Sequence, residues 1–217
     1  MLAVDYDEPG GPEVLKLKEI NIPDISKDEV LIKVKSAGVN RPDIIQREGN
    51  YPAPPGHSKT LGLEVSGIIE KVGTNVKKFL VGDKVAALVN GGGYAEFCKA
   101  NESLVFHIPK NITFNEAACI PECFFTAWSN IVMRGEIKKN QKILIHGGTS
   151  GVGIASIQIA KLFNSYIITT VGNKEKVSFC KKLGVDKTIN YNESNFFEEI
   201  KNSQISSVDL VLDFIGG

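Results

Sequence analysis

One glycine-rich stretch has the residue types and spacing of a phosphate-binding turn. An apolar run at 143–145 leads into Gly147 and Gly148, and an apolar segment at 154–163 follows. This order predicts a buried strand, a tight turn and a helix. The pyrophosphate of a dinucleotide needs that arrangement, because backbone must approach it closely and free N–H groups at a helix N-terminus must face it.

The turn matches the dinucleotide spacing G-x-G-x-x-G with one exception. Gly148 and Gly153 occupy the first and third glycine positions, and Ser150 occupies the middle one. We therefore expect the pyrophosphate to be bound by the residues of this turn and of the first helical turn, namely Gly148, Thr149, Ser150, Gly151, Val152 and Gly153.

The end of the next predicted strand bears on which dinucleotide is bound. An NAD-selective site places Asp or Glu about 20 residues after the glycine turn, where it binds the ribose 2′-OH. Here the strand ends in Thr170 and Val171, followed by Gly172 and Asn173, so no carboxylate stands there to repel a 2′-phosphate. This pattern favours NADPH.

Strands and helices alternate in the part of the chain that holds this turn. The predicted order is helix 124–133, strand 142–145, helix 152–163, strand 166–171, helix 174–183, strand 188–191, helix 194–201 and strand 208–215. Such alternation is typical of a doubly wound parallel sheet. On the last of these helices, Phe197 and Ile200 are expected to face inward.

Residues before about 119 have a different pattern. Val30, Ile32 and Val34 alternate with their neighbours, as in a half-buried strand. Further short apolar runs occur at 63–72, 84–89, 94–98 and 104–108, and one short helix is predicted at 42–47. Many short strands separated by turns predict a compact barrel-like domain.

Composition excludes several classes of function. Lys+Arg and Asp+Glu both number 25, so no basic surplus indicates a nucleic-acid partner. Four cysteines form no C-x-x-C pair, the N-terminus does not resemble a signal peptide, and no apolar run approaches the roughly 20 residues that span a bilayer. We expect a cytoplasmic protein with free thiols and no membrane partner.

Six stretches occur in the order found in one enzyme family and cover the whole chain. They are 37–43 (AGVNRPD), 61–67 (LGLEVSG), 82–85 (GDKV), 125–128 (FTAW), 146–153 (HGGTSGVG) and 213–217 (DFIGG). With them the chain resembles the NADPH:quinone oxidoreductase (zeta-crystallin-like) branch of the medium-chain dehydrogenase/reductase superfamily.

The resemblance implies an α/β fold in two domains. These are an N-terminal GroES-like β-barrel domain at 1–118, which holds the substrate, and a Rossmann NADPH-binding domain at 119–217. Only the first half of the doubly wound sheet is present, so the resemblance implies a chain truncated at its C-terminus, whose parent protein is a homodimer. The implied activity is NADPH-dependent hydride transfer to quinones or related conjugated carbonyls.

The resemblance also implies roles for individual residues. Asn40 is expected beside the nicotinamide and the substrate, Tyr51 as a hydrogen-bond donor to a quinone oxygen, and Thr126 against the cofactor ribose or nicotinamide. Lys176 and Tyr191 resemble the pair that binds the 2′-phosphate, next to Gly172 and Asn173. Plainer interpretations remain open: Asn40 as a helix cap, Tyr51 packed on prolines, Lys176 as a solvated side chain, and His146 as a hydrogen-bonded core residue.

Zinc is not expected. Zinc-dependent members of the superfamily carry a Cys in the segment that corresponds to Gly38–Asn40 and a His in the segment that corresponds to Gly62–Glu64. This chain has Asn40 and Leu63 there. Neither an amide nor an alkyl group can replace those ligands in a tetrahedral zinc site.

Two other functions stay open. Reduction of the C=C bond of an enone or an enoyl thioester uses the same hydride geometry, and Arg41 and Arg47 are the candidates to bind an acyl-CoA. The alternative from another class is a non-catalytic NADPH-binding protein, structural or RNA-binding, as some relatives of this family are.

Overall fold

The computed structural model describes residues 1–216 and contains two compact units. The first runs from Met1 to Glu122, and the second begins at Cys123. The boundary at 118/119 remains a sequence-based prediction of the domain limits. Gly217, the last residue of the predicted second domain, lies outside the described residues.

The first unit is built on antiparallel β-structure. Its strands are β1 (Leu2–Asp5), β2 (Lys16–Glu19), β3 (Glu29–Ala37), β4 (Glu64–Val72), β5 (Lys84–Leu88), β6 (Phe97–Asn101) and β7 (Val105–His107). Strands β1 and β2 pair with each other, and the other five form a sheet in the order β6-β3-β4-β5-β7. All pairings within it are antiparallel. Two short α-helices, α1 (Arg41–Arg47) and α2 (Phe114–Ala117), and two 3₁₀ turns, Pro12–Val14 and Glu102–Leu104, complete the regular structure.

Strand β3 only partly follows the predicted alternation. Val30 and Ile32 are fully buried, as expected. Leu31 is 7% exposed. Because successive side chains point to opposite faces of a sheet, the strand is covered on both faces at this point.

The strand predicted at 94–98 was placed three residues too early. The backbone N–H of Tyr94 donates to the Leu61 carbonyl at 3.0 Å, and its phenol donates to Asp43 at 2.9 Å. The Tyr94 carbonyl accepts the Val4 N–H at 2.8 Å, and Ala95 forms an antiparallel bridge with Ala3. This segment therefore pairs with β1, and β6 begins only at Phe97.

The second unit is a parallel sheet flanked by helices. Its elements, in chain order, are α3 (Pro121–Trp128), which begins at the end of the first unit, β8 (Lys142–His146), α4 (Gly151–Leu162), β9 (Tyr166–Val171), α5 (Lys174–Lys182), β10 (Lys187–Asn190), α6 (Phe196–Lys201) and β11 (Leu210–Leu212). All pairings are parallel, in the order β10-β9-β8-β11. Strand order reverses at β8, and open α/β sheets bind ligands at such a reversal. The predicted fold class, a β-rich first unit followed by a parallel α/β unit, is confirmed.

The helix predicted at 124–133 differs in both position and type. Helix α3 begins at Pro121, where the missing N–H of proline is tolerated. It continues as a π-helical turn at Ser129–Arg134, in which the Gly135 N–H donates to the Asn130 carbonyl five residues back, at 2.8 Å.

Helix α6 faces the sheet differently from the prediction. Ile200 is buried, as expected, but Phe197 is 59% exposed and lies below the Lys201 ammonium at 5.7 Å. Phe196, one turn before Ile200, is 36% exposed and meets the His146 ring, at the end of β8, edge-on at 4.9 Å between centroids.

Helix α4 supplies the centre of the core in this unit. Ala155, Ile157, Ile159 and Ala160 are buried and pack in one cluster with Ile143 and other residues of the parallel sheet. No helix within residues 1–216 has both the length and the apolar composition that crossing a bilayer requires.

Candidate functional site

The second unit carries a cleft of about 700 Å³ at the carboxyl ends of its parallel strands. Residues from the ends of β8, β9, β10 and β11 all reach it. The lining comprises His146, Gly147, Thr149, Ser150, Thr170, Val171, Gly172, Lys176, Tyr191, Phe196, Asp213, Ile215 and Gly216. The topology therefore gathers segments that are up to 70 residues apart in the chain.

The glycine turn after β8 packs so tightly that side chains would not fit at two positions. A Cβ on Gly148 would collide with Thr169 on β9, and one on Gly153 would collide with the Gly147 carbonyl. Gly147 itself has φ +72°, in the left-handed region that favours glycine. The first and third glycines of the predicted motif thus set how closely the turn, β9 and α4 approach one another.

Ser150, at the middle glycine position, caps helix α4. Its hydroxyl accepts the Gly153 N–H at 3.0 Å, and its carbonyl accepts the Ile154 N–H at 2.8 Å. Within residues 1–216, the N–H groups of Gly151 and Val152 have no protein acceptor, as expected for the first turn of a helix. The serine side chain therefore turns toward the helix, and two backbone donors remain for an anion.

The predicted 2′-phosphate residues lie on the other side of the same cleft. Lys176 is on the first turn of α5, and Tyr191 directly follows β10; both line the cleft and both are exposed. Gly172 lies against the Tyr191 hydroxyl, and the Asn173 side chain accepts the Lys176 N–H at 2.9 Å as the cap of α5. Of the predicted cofactor-binding residues, Thr149, Ser150, Gly172, Lys176 and Tyr191 line the cleft, whereas the others support the turn and the helix starts.

Three cleft residues were missed or misjudged at the sequence level. His146 was interpreted as a core residue, but it is half-buried at the cleft, where its Nδ1 lies 2.9 Å from Thr170 Oγ1. Phe196 packs edge-on against it. Asp213 follows β11 and brings a carboxylate. Backbone N–H groups of Ile215 and Gly216 donate to that carboxylate at 2.8 and 3.1 Å, and they lower its pKa.

Asn40, in the first unit, stands at the N-cap position of α1, but its side-chain amide has another partner. Its Nδ2 donates to Glu64 at 2.8 Å, while its backbone N–H donates to the Asp43 carboxylate at 2.8 Å. Asp43 also accepts the Tyr94 hydroxyl, at 2.9 Å, and the Gly62 N–H, at 3.1 Å. A network of hydrogen-bonded side chains thus adjoins the predicted catalytic amide.

The carboxylates of this network are strongly desolvated. Glu64 and Asp43 are each 2% exposed. Burial raises the pKa of Glu64 against the opposing effect of its hydrogen bonds from Asn40 and Glu122. Burial, together with the charges of Glu64 and Asp43, also raises the pKa of Glu122. The Tyr94 pKa is raised by burial and by Asp43.

Tyr51 and Thr126 are the two other predicted catalytic residues. They belong neither to the cleft lining nor to the network around Asn40 and Glu64. Tyr51 is 46% exposed in the loop after α1. Thr126 is half-buried on α3 in the second unit, where its carbonyl accepts the Asn130 side chain at 2.8 Å. It is not part of the cleft lining. Among the residues described, no three His, Cys, Asp or Glu side chains are grouped as a metal site requires.

Two protein-family models match the chain. The alcohol dehydrogenase GroES-like domain matches residues 26–110, and the zinc-binding dehydrogenase model matches residues 151–217. The first match lies in the antiparallel unit, and the second begins at the start of α4 and includes the cleft residues from Thr170 onward.

Individual relatives extend this similarity over the whole chain. Human quinone oxidoreductase is 34% identical over 99% of the chain, which spans 66% of the relative's length. The structure of a mycobacterial protein complexed with NADPH is 32% identical, with a TM-score of 0.87, and is matched over 100% of this chain and 68% of that one. The CurK enoyl reductase is 29% identical, with a TM-score of 0.91 over 100% of this chain and 68% of that one.

The chain thus spans slightly less than two thirds of the human relative. Within that span, the two domain matches are consistent with the parallel sheet and the glycine turn of the structure. The chain belongs to the medium-chain dehydrogenase/reductase superfamily, in the branch of the quinone oxidoreductases.

Proposed function

We propose that the protein is a zinc-free, NADPH-dependent reductase that transfers a hydride to quinones. The observation that carries the proposal is the cleft that Lys176 and Tyr191 line together with the glycine turn. Strand β9 ends there in Val171 and Gly172, without the carboxylate of an NAD-selective site.

The residues of the cleft suit a phosphorylated dinucleotide. The pyrophosphate would accept hydrogen bonds from the N–H groups of Gly151 and Val152, at the positive end of the α4 dipole. The Lys176 ammonium and the Tyr191 hydroxyl would bind the 2′-phosphate through charge-assisted hydrogen bonds. Asp213, the carboxylate in the lining, accepts the backbone N–H groups of Ile215 and Gly216 through its Oδ1.

The donor set supports the zinc-free part of the proposal. The amide of Asn40 already donates to Glu64, and the neighbouring Leu63 offers only an alkyl group. Zinc in proteins takes thiolate, imidazole or carboxylate ligands in tetrahedral geometry. Metal analysis of the purified protein tests this, and one equivalent of tightly held zinc would contradict it.

Hydride chemistry would come from the reduced nicotinamide when it is bound, so the chain's own residues orient the reactants and exclude water. We assign Asn40 and Tyr51 to the substrate carbonyl and Thr126 to the cofactor. No acidic residue is required, because water can protonate a reduced quinone oxygen. A homodimeric parent protein, a cytoplasmic location and the absence of a nucleic-acid partner remain predictions.

Calorimetric titration with NADPH and NADH tests the cofactor assignment. We expect tighter binding of NADPH, by about tenfold or more, as a hydrogen bond to a charged group would give. Lys176→Ala should reduce the preference by about tenfold, because only the Tyr191 contact to the 2′-phosphate remains, and should leave NADH affinity unchanged. Lys181→Ala, on the last turn of α5, is the matched control and should behave as wild type. A preference for NADH in the wild type would refute the proposal.

A second candidate function is reduction of the C=C bond of an enone or enoyl thioester. The similarity to the CurK enoyl reductase favours it. Arg47, one of the two predicted acyl-CoA contacts, is already bonded to the Gly10 carbonyl at 3.0 Å and to Glu48 at 3.3 Å, which weakens that alternative for a CoA thioester. NADPH oxidation with a quinone, a small enone and a crotonyl thioester distinguishes the candidates.

A further inference from the structure

Glu64 is a buried carboxylate that accepts hydrogen bonds from two other segments of the first unit. Each of its oxygens accepts one hydrogen bond, Oε1 from the Asn40 Nδ2 at 2.8 Å and Oε2 from the Glu122 backbone N–H at 2.9 Å. A side chain at Gly38 would collide with Oε1, so the chain leaves no room beside this contact. Glu64 therefore joins three segments, 38–40, β4 and the start of α3.

The carboxylate is not there to form an ion pair. The charged groups that act on it are Asp43, on α1, and Glu122, on α3, which are both acidic. Within residues 1–216, no Lys or Arg nitrogen lies within 4.0 Å of any of these three side chains. Burying a carboxylate among like charges is unfavourable unless its hydrogen bonds are needed.

The hydrogen bond to Asn40 fixes which way its amide faces. A carboxylate oxygen can only accept, so the NH₂ group, and not the carbonyl oxygen, must lie toward Glu64. The Asp43 carboxylate accepts the backbone N–H of Asn40, and this contact holds the backbone of Asn40 at the start of α1. One Nδ2 hydrogen is used by Glu64, and the second remains as a donor.

We propose that Glu64 is a positioning residue that orients the Asn40 amide so that this second N–H can donate to the carbonyl oxygen of the substrate. The inference rests on the proposed quinone or enone reduction. When the conjugated carbonyl accepts the two electrons of the hydride, its oxygen becomes anionic until water supplies a proton. A donor aimed at that oxygen stabilises the developing charge.

The variant Glu64→Gln replaces one of the two acceptor oxygens with an NH₂ donor at almost unchanged side-chain volume. Its single amide oxygen must face the Glu122 N–H, which the backbone fixes, so its NH₂ group faces Asn40. The Asn40 amide must then turn over to present its oxygen. Side-chain NH₂ signals in a ¹⁵N-labelled sample of the 217-residue chain, assigned by their loss in Asn40→Ser, report this directly.

In the wild type we expect the Asn40 NH₂ signals to move with pH as the Glu64 carboxyl titrates. In Glu64→Gln they should shift and lose that pH dependence. Glu70→Gln, at an exposed position of the same strand, is the control and should leave them unchanged. Asn40 signals that are insensitive both to pH in the wild type and to Glu64→Gln would overturn the proposal.

Kinetics distinguish orientation from mere stability. For Glu64→Gln we expect kcat with a quinone to fall by about 100-fold, in the range seen when one aligned donor is lost, at an unchanged KM for NADPH. An unchanged kcat in a variant whose amide has turned over would also overturn the proposal. If the wild type reduces no quinone or enone, the proposed function fails, whereas the NMR result still decides the role of Glu64.

Discussion

A methyl group added at Gly172 would lie 2.5 Å from the hydroxyl of Tyr191, so the phenol ring rests directly against the backbone at the end of β9. Glycine at this point lets the ring lie across the end of the strand. Both residues line the cleft proposed to bind the adenosine end of NADPH.

Gly172→Ala should displace the Tyr191 ring and weaken NADPH binding. Since a hydrogen bond to a charged group contributes about 1.5 kcal/mol or more, we expect a loss of roughly tenfold in affinity. Tyr191→Phe, which removes only the hydroxyl, should give a similar loss. Titration of NADPH into each variant measures both effects. If Tyr191→Phe weakens binding and Gly172→Ala does not, Gly172 does not control the ring.

Ser150 permits a test that separates helix capping from anion binding. Ser150→Ala removes the acceptor of the Gly153 N–H and should lower the free energy of unfolding by about 1 kcal/mol. Ser150→Asp keeps a good cap and should keep that stability, yet its charge repels a pyrophosphate, so NADPH affinity should fall by more than tenfold. Urea denaturation and NADPH titration of both variants supply the measurements. Full NADPH affinity in Ser150→Asp would place the pyrophosphate elsewhere.

The buried carboxyl group of Glu122 should make the stability of the protein depend on pH. Burial and the nearby charges of Glu64 and Asp43 raise its pKa, so the folded state favours the protonated form and loses stability as pH rises through that pKa. Glu122→Gln should therefore be more stable than wild type at pH 7 to 8, and the gain should disappear at acidic pH, below the ordinary pKa of a glutamate. Thermal unfolding across this range measures it.

Glu116→Gln is the control for Glu122→Gln, because its effect on stability should have the opposite sign. Hydrogen bonds from Thr113 lower the pKa of Glu116, whose carboxylate accepts the Thr113 N–H at 2.8 Å in the capping box of α2. Glu116→Gln should be less stable than wild type at neutral pH, and the deficit should shrink as pH falls. Equal pH dependence in both glutamine variants would refute the assignment of the two shifts.

The sequence predicted the strands and helices on either side of the glycine turn well because their signals are local. Strand β9 was predicted with its exact limits, and α4 within one residue at each end, since each has a clear period and a turn on either side. The same signals predicted the glycine turn and the residues next to it. The first unit was harder, because the start of a strand such as β6 depends on long-range pairing, here of Ala95 with Ala3 on β1.

The rest of the site depends on contacts between distant segments. His146, Phe196 and Asp213 line one cleft because parallel strands end at one edge of the sheet. No local sequence pattern predicts that these three residues lie close together. The pair of Asn40 and Glu64 joins residues 24 positions apart. One signal was available: Glu64 stands alone as a charge within the apolar run 61–69, where a buried carboxylate requires partners.

The glycine turn itself gives the last prediction, because its glycines are not equivalent. A Cβ at Gly148 would enter the space of the Thr169 side chain, whose hydroxyl donates to the Ile145 carbonyl at 2.7 Å inside the sheet. Overpacking against a buried strand costs about 1 to 3 kcal/mol, so Gly148→Ala should lower the free energy of unfolding by that amount. A Cβ at Gly151 would meet only the Cys123 thiol, at 2.6 Å, and alanine is a better helix former than glycine.

Gly151→Ala combined with Cys123→Ala, which makes room for the new methyl group, should therefore be no less stable than Cys123→Ala alone. For Gly148→Ala no second substitution makes room in this way. Even if Thr169 were truncated to alanine, its Cβ would still lie only 2.9 Å from the new methyl group. Urea denaturation of Gly148→Ala, Cys123→Ala and the double variant measures these differences. If Gly148→Ala were as stable as wild type, the turn would have room to move away from β9, and the close packing assigned to the first glycine of the motif would be wrong.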